Sequence, residues 1–251
     1  MVRFFVEPPD ISAKTIRLKP EDIEHIRVLR LRPDERFVLC DGKGTDYICC
    51  LGDRFDGSTA EIITQQKSAG EPTVKCTVYM AYSKGERSEY AVQKSVELGA
   101  HEIILFESER CIAVPNNIPK KTERLQRIAL EAAKQNNRGI IPKVSSGGRF
   151  KAVINEAVRC SDLSLLFYEY EENQHIKSVL EKHFPPLREQ EEFQTRSVSM
   201  ITGPEGGFEP DEVAFAQSKD VLIVSLGSRI LRSETAPVVA LATVMYHTNN
   251  L

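Results

Sequence analysis

The sequence predicts an α/β protein of two domains, a small β-rich domain followed by a larger domain built on a parallel sheet. Several short segments of strand character fall within the first 70 residues, which is typical of a small barrel. Residues 67–72 carry the Ser, Gly and Pro of a linker. Beyond it, segments of strand and helix character alternate, which favours a parallel sheet covered by helices. The predicted domain boundaries are 1–70 and 73–251.

The elements of the first domain follow from local signals. Residues 20–29 begin with a proline and are predicted to form a short helix. Asp41-Gly42-Lys43-Gly44 is a hairpin turn in which glycine supplies the positive φ. Residues of β propensity in short alternating runs predict strands over 3–7, 15–18, 36–40, 46–51 and 58–64.

The second domain contains longer elements. Gly99 closes the first helix as the residue after its C-cap. A polar helix and an acidic, proline-broken loop fill the chain to about residue 194. Strands are predicted over 75–82, 102–106, 140–144, 163–168, 197–202 and 221–226. Helices are predicted over 86–98, 120–136, 150–159, 210–217 and 234–247.

Composition argues against several classes of protein. No apolar run approaches the ~20 residues that cross a bilayer, and the first residues lack the features of a secretory signal. The six cysteines show no CxxC spacing and no neighbouring pair of histidines, so neither a zinc site nor a secreted disulfide framework is expected. We therefore expect a cytoplasmic protein that uses no metal and binds no membrane.

Charge is distributed unevenly along a chain whose net charge is −3. Residues 120–151 hold nine basic side chains against two acidic ones, and residues 169–192 hold seven glutamates against three basic side chains. A second basic run lies at Arg27, Arg30, Arg32 and Arg36. This pattern gives an acidic protein a basic face suited to RNA, although solvated helix faces produce the same pattern.

The first candidate binding loop is Ile201-Thr202-Gly203-Pro204-Glu205-Gly206-Gly207-Phe208, at the end of a predicted strand. Ligands of open α/β sheets bind beyond the carboxyl ends of the strands. Three glycines permit tight turning and close approach of a ligand. No phosphate-binding lysine follows, and Glu205 would repel a phosphate. The loop therefore favours a cationic or neutral ligand such as a sulfonium cofactor, with a ligand-free turn as the alternative.

The second candidate loop, residues 226–236, also follows a strand and enters a helix. Ser233 or Thr235 is expected to cap that helix. Residues 238–246 are apolar on nearly every side. Such a helix must be enclosed, either in the core of its own chain or at a subunit interface.

The two loops together resemble a paired signature of the bacterial 16S rRNA uridine-N3 methyltransferases in the SPOUT superfamily. The resemblance covers essentially the whole chain. Asn136, Asn137 and Cys111 depart from it, because small residues and a serine are usual there, and they leave the shape of the target pocket open. The residues that carry it are Gly203-Pro204-Glu205-Gly206-Gly207-Phe208, Leu226-Gly227-Ser228-Arg229-Ile230-Leu231-Arg232-Ser233-Glu234-Thr235-Ala236, Arg3-Phe4-Phe5, His25 with Val28-Leu29-Arg30-Leu31, Lys84-Gly85, Gln93-Lys94, Glu97-Leu98-Gly99, Glu131-Ala132-Ala133-Lys134-Gln135, Arg138 and Pro142.

The resemblance implies a PUA-like N-terminal β-barrel, then a SPOUT α/β domain with a C-terminal trefoil knot. It implies a homodimer that uses S-adenosylmethionine to methylate N3 of a uridine in 16S rRNA, within the small ribosomal subunit or free. The implied RNA-binding residues are Arg3, Arg27, Arg30 and Arg32. The implied cofactor-binding residues are Thr202, Gly203, Pro204, Glu205, Gly206, Gly207, Leu226, Gly227, Ile230 and Leu231.

The chemistry of uridine N3 suggests two catalytic arginines. N3 carries a proton, and its loss spreads negative charge onto O2 and O4, which a guanidinium with two donors can stabilise. Arg138 and Arg232 are the candidates. Arg138 could instead contact a phosphate, and Arg232 could anchor its loop by pairing with Glu234. Glu205 could orient the cofactor or the RNA, and the sequence does not identify the route of deprotonation.

Two other functions remain open from the sequence. A SPOUT enzyme that acts on another RNA position shares the fold, and a nonenzymatic RNA-binding protein would need neither loop. A nucleotide hydrolase would need a phosphate-binding lysine and metal carboxylates, which neither loop supplies.

Overall fold

The computed structural model describes residues 2–6, 11–12, 14–52, 58–185 and 196–251. The chain divides into two compact units, residues 1–71 with 133–141, and residues 72–132 with 142–251. The last residue of the first predicted strand and the acidic loop predicted before residue 195 lie outside the described residues.

The first unit is a five-stranded sheet of order β1-β3-β4-β5-β2. β1 and β3 pair in parallel, and the other neighbours are antiparallel. Phe4, Phe37 and Leu39 lie in its core. Its elements are β1 (Arg3–Phe5), β2 (Thr15–Arg17), α1 (Pro20–Leu29), β3 (Phe37–Cys40), β4 (Thr45–Cys50) and β5 (Thr59–Lys67).

Residues 133–141 belong to the first unit although they lie far beyond the predicted linker. The backbone N–H of Gly44 donates to the carbonyl of Gly139 at 3.0 Å, and Lys43 forms an antiparallel bridge with Ile140. The hairpin turn thus pairs with a segment that was predicted to belong to the second domain. Local sequence signals missed this pairing because it depends on tertiary contacts.

The second unit is a six-stranded sheet of order β11-β9-β10-β6-β7-β8, in which every pairing is parallel. The predicted α/β class is confirmed. The elements are β6 (Lys75–Ala81), α2 (Arg87–Glu97), β7 (Glu102–Glu107), α3 (Ile118–Gln135), β8 (Lys143–Arg149), α4 (Phe150–Cys160), β9 (Leu163–Phe167), α5 (Ile176–His183), β10 (Ser197–Thr202), α6 (Pro210–Gln217), β11 (Leu222–Val224) and α7 (Thr235–His247).

Helices pack against this sheet through its apolar side chains. Residues of α4 and α6 share a buried cluster with Tyr79, Ile104 and Phe106, while α7 packs against β6 and β10. β8 begins three residues later than predicted and contains glycines. A Cβ at Gly147 would lie 2.6 Å from Cγ2 of Val153, so glycine lets α4 approach the strand closely.

The order of the strands fixes where a ligand can bind. From β6 the chain proceeds outward through β7 and β8, and then returns to build β9, β10 and β11 on the other side. Such a reversal is the usual ligand-binding point of an open α/β sheet. The loops that follow β6, β9, β10 and β11 therefore lie side by side at one edge. None of the described helices is long and apolar enough to cross a lipid bilayer.

Candidate active site

A cavity of about 740 Å³ lies at this edge, within the second unit. Its volume falls in the range of sites for small molecules and cofactors. Three loops, each directly after a strand, supply most of its lining. These residues are Phe167, Tyr168, Glu169, Glu171, Glu172 and His175 from the end of β9 onward; Thr202, Gly203, Pro204, Glu205 and Gly207 from the end of β10 onward; and Ser225, Leu226, Gly227, Ser228, Arg229, Ile230, Leu231, Arg232, Ser233 and Ala236 after β11, together with Arg87.

Nine of the ten residues expected to bind the cofactor line this cavity, and Gly206 is the exception. The carbonyl of Gly206 accepts a hydrogen bond from Nη1 of Arg110 at 3.0 Å, and a Cβ at this glycine would lie 3.0 Å from Cβ of Arg110. Cofactor binding by Gly206 stays a prediction, and in this structure its contact with Arg110 anchors the loop.

The shape of the 203–208 loop depends on Gly207. The N–H of Gly207 donates to the carbonyl of Pro204 at 3.0 Å, which closes a tight turn. Gly207 has a φ of 69°, and the carboxylate of Glu169 occupies the space where its Cβ would be. The buried ring of Phe208 fixes the end of the loop in the core. Only glycine fits both the backbone and the packing here.

Glu205 is held from two sides. Its Oε1 accepts hydrogen bonds from the backbone N–H of Lys84 at 2.9 Å and from Nη1 of Arg87 at 2.6 Å. Burial alone would raise its pKa, but these donors outweigh that effect and lower the pKa of Glu205 below its usual value. The carboxylate is therefore ionised at neutral pH, which makes it an acceptor of hydrogen bonds and a poor general base.

The second carboxylate oxygen of Glu205, Oε2, has a different environment. Oε2 is buried, and among the residues that the structure describes no group donates a hydrogen bond to it. A buried acceptor without a donor is costly. S-adenosylmethionine carries a cationic sulfur and an ammonium group, so an ionised glutamate in the cavity lining fits this cofactor.

The loop after β11 places apolar and basic side chains together. Ile230 lines the cavity and is 80% exposed, which is unusual for an aliphatic residue and suits the face of an adenine. The carbonyl of Arg232 accepts hydrogen bonds from the N–H groups of Thr235 and Ala236 at 2.9 Å each, which begins α7. The expected side-chain cap is absent, since Glu234 occupies the N-cap position of α7 without a side-chain hydrogen bond.

Sequence reasoning missed the third loop of the cavity. Tyr168, Glu169, Glu171, Glu172 and His175 follow β9 but lack the glycines that marked the other two loops. The available signal was position alone, because every loop after a parallel strand reaches the same edge of the sheet. Arg87 was also missed.

Arg138, which was expected to be catalytic, forms a buried ion pair with Glu71. It belongs to the first unit and its side chain is 3% exposed. Its Nε and Nη2 donate to the two carboxylate oxygens of Glu71 at 3.0 and 2.9 Å. Oε1 of Glu71 also accepts the N–H groups of Gly139 and Ile140. Catalysis by Arg138 stays a prediction, and in this structure its guanidinium is buried against Glu71 and holds residues 138–140 in place.

Arg3, which was expected to bind RNA, also forms a buried ion pair. Its side chain is 7% exposed, and Nη1 and Nη2 donate to the carboxylate of Asp46 at 2.6 and 2.7 Å. RNA binding by Arg3 stays a prediction, with most of its guanidinium covered in this structure. The other three arginines expected to bind RNA are exposed. Arg27 lies on α1, Arg30 is its C-cap residue, and Arg32 lies two residues beyond the cap.

Removal of Arg138 should destabilise the protein. Arg138→Ala leaves the carboxylate of Glu71 without its main partner, and breaking a buried ion pair costs about 3–5 kcal/mol. We expect urea denaturation to show a loss of that size, with Arg127→Ala, on the exposed side of α3, unchanged within about 0.5 kcal/mol. Equal stability of the two variants would contradict the structural role.

Comparison with known proteins agrees with this geometry. A family model described as an RNA methyltransferase domain matches residues 70–245, and one described as an RNA methyltransferase PUA domain matches residues 18–63. The Bacillus subtilis protein named ribosomal RNA small subunit methyltransferase E is 30% identical over 258 residues, which cover 100% of this chain and 98% of that one. The Synechocystis protein of the same name is 31% identical over 243 residues, covering 96% and 76%.

A solved structure agrees as well. The ribosomal RNA small subunit methyltransferase E of Neisseria gonorrhoeae, bound to S-adenosyl methionine, superposes with a TM-score of 0.78 at 29% identity, covering 98% of this chain and 97% of that one. The resemblance seen in the two loops is thereby confirmed across both units. From its PUA-type first unit to the cavity formed by its glycine loops, the chain belongs to the ribosomal RNA small subunit methyltransferase E family.

Proposed function

We propose that this protein transfers the methyl group of S-adenosylmethionine to N3 of a uridine in 16S rRNA. The observation that carries the proposal is the cavity at the switch point of the sheet, in which both motif loops meet. Sites of this size at this position hold cofactors. The relatives at about 30% identity bear the name of a small-subunit rRNA methyltransferase, and one such structure holds this cofactor.

Different residues of the cavity bind different parts of the cofactor. When bound, the cofactor supplies an electrophilic methyl group on a cationic sulfur. The backbone of residues 202–207 and 226–231 holds the adenosine, with Ile230 and Leu231 beside the adenine. The negative charge of Glu205 in the cavity lining orients the cationic cofactor. Most of the barrier reduction then comes from positioning and electrostatics.

Arg232 acts on the RNA base. The two donors of its guanidinium would stabilise the negative charge that spreads onto O2 and O4 when N3 loses its proton. N3 would then take the methyl group as the carbon–sulfur bond of the bound cofactor breaks and a neutral thioether leaves. Arg232 lies in the cofactor loop and lines the cavity, which supports a catalytic role for it. Arg27, Arg30 and Arg32 bind the RNA backbone through their exposed side chains.

The proposed assembly is a homodimer with a trefoil knot at the C-terminus, working in the cytoplasm. Pro237, Ala240, Leu241, Val244 and Met245 bury one face of α7 within the chain. Tyr246, on the same helix, is 78% exposed, which suits a contact with a second copy. Sedimentation at micromolar concentration tests the dimer, and an active monomer would contradict it.

The experiment that tests the function uses isotope-labelled S-adenosylmethionine and small ribosomal subunits from a strain that lacks this protein. After incubation, the 16S rRNA is digested and its modified nucleosides are mapped by mass. We expect label in one 3-methyluridine, with free 16S rRNA assayed beside the assembled subunits. Label on a ribose or a guanine would assign a different RNA position, and no label despite RNA binding would favour a nonenzymatic protein.

A further inference from the structure

We propose that Arg87 is a positioning residue that joins the two loops of the cofactor cavity, and this inference rests on the function proposed above. Nη1 of Arg87 lies 2.6 Å from Oε1 of Glu205, in the loop after β10. Nε of the same guanidinium lies 3.7 Å from Oε2 of Glu234, at the start of α7. One planar cation thus contacts both motif loops from a third element, α2.

The position of Arg87 on its helix supports this role. Arg87 is the first residue of α2, where the helix dipole disfavours a positive charge. Its side chain is 40% exposed, and ion pairs of that exposure contribute little to folding stability. Arg87 therefore contributes little to folding stability, and its role lies in its contacts with the two carboxylates that flank the cavity.

The contact has a direct consequence for Glu205. With Arg87 and the N–H of Lys84 both bonded to Oε1, the carboxylate is fixed in one orientation. That orientation leaves Oε2 as the buried atom for which no described residue supplies a donor. Arg87 thereby fixes the Glu205 side chain in the wall of the cavity, and through Glu234 it holds the start of α7 directly after the Ile230–Arg232 segment.

Arg87 also lines the cavity, so direct contact with the carboxylate of the cofactor's methionine portion is the competing role. Two ligands separate the roles by calorimetry. S-adenosylmethionine carries that carboxylate, and 5′-methylthioadenosine lacks the whole amino-acid portion. A positioning residue affects both ligands, because both need the adenosine-binding loops, whereas a carboxylate-binding residue affects only the first.

We expect Arg87→Gln to lower the affinity for both ligands by a similar factor, on the order of tenfold. The double variant Arg87→Gln/Glu205→Gln should bind no more weakly than Glu205→Gln alone, because the two residues act as a unit. Arg87→Lys should recover only part of the affinity, since an ammonium cannot contact both carboxylates in one plane. Arg124→Ala is the matched control, because Arg124 pairs with Glu89 on the surface and does not line the cavity.

Unchanged affinity in Arg87→Gln would overturn the inference, as would a loss confined to S-adenosylmethionine or full additivity with Glu205→Gln. Melting temperatures of the variants are measured in parallel and should match the wild type within a few degrees. Wild-type protein that binds neither ligand would overturn the proposed function, whereas wild-type binding with an unaffected Arg87→Gln variant overturns this inference alone.

Discussion

Replacement of Arg232 by alanine should lower the single-turnover rate of methyl transfer by about 10²–10³-fold, the usual effect of deleting one well-placed stabilising donor. The charge that Arg232 stabilises on the uridine builds up only as the N3 proton leaves. Its loss should therefore affect turnover more than binding. Lysine should rescue poorly, because an ammonium lacks the planar two-donor fork.

The measurement uses small-subunit particles at saturating cofactor and RNA. Arg27→Ala is the contrast, since this exposed arginine on α1 should weaken RNA binding and flatten its salt dependence while the rate at saturation stays near wild type. A wild-type rate for Arg232→Ala would remove this residue from the chemistry. A defect that disappears as the cofactor concentration rises would assign Arg232 to cofactor binding.

Substitution of Gly207 by alanine should weaken cofactor binding tenfold to a hundredfold. Overpacking a filled site costs about 1–3 kcal/mol, and each 1.4 kcal/mol corresponds to about a factor of ten in affinity. The added Cβ needs the space that the Glu169 carboxylate occupies, so either that side chain or the 203–208 loop must move. Both line the cavity. The positive φ of 69° adds backbone strain of about 1–2 kcal/mol.

Gly148→Ala separates the two effects. Gly148 has a φ of 79°, a Cβ added to it would meet no atom of the described residues within 4 Å, and it lies at the end of β8 away from the cavity lining. It should lose about 1–2 kcal/mol of stability from strain alone, with cofactor affinity unchanged. Calorimetry and urea denaturation of both variants make the comparison. Similar affinities for the two would show that the Glu169 contact does not shape the site.

Several features of the site follow from the sequence because they depend on local chemistry. Glycines after a strand predict a tightly turned loop, and the position of both loops after parallel strands predicted a ligand site there. The resemblance implied the nine expected cofactor-binding residues that line the cavity. β10 and α6 match their predicted bounds for the same reason, since each has a strong local pattern. An apolar terminal helix predicts enclosure, and one face of α7 is buried.

Only the tertiary structure decided which partners the charged side chains have. Arg3, Arg138 and Arg232 are chemically identical in the sequence, yet Asp46 and Glu71 bury the first two while the third lines the cavity. Those partners lie 43 and 67 residues away, and no local pattern encodes such pairing. The contacts of Arg87 with Glu205 and Glu234 arise in the same way. Backbone conformation is set largely by near neighbours, but the role of an ion depends on which opposite charge the fold brings within reach.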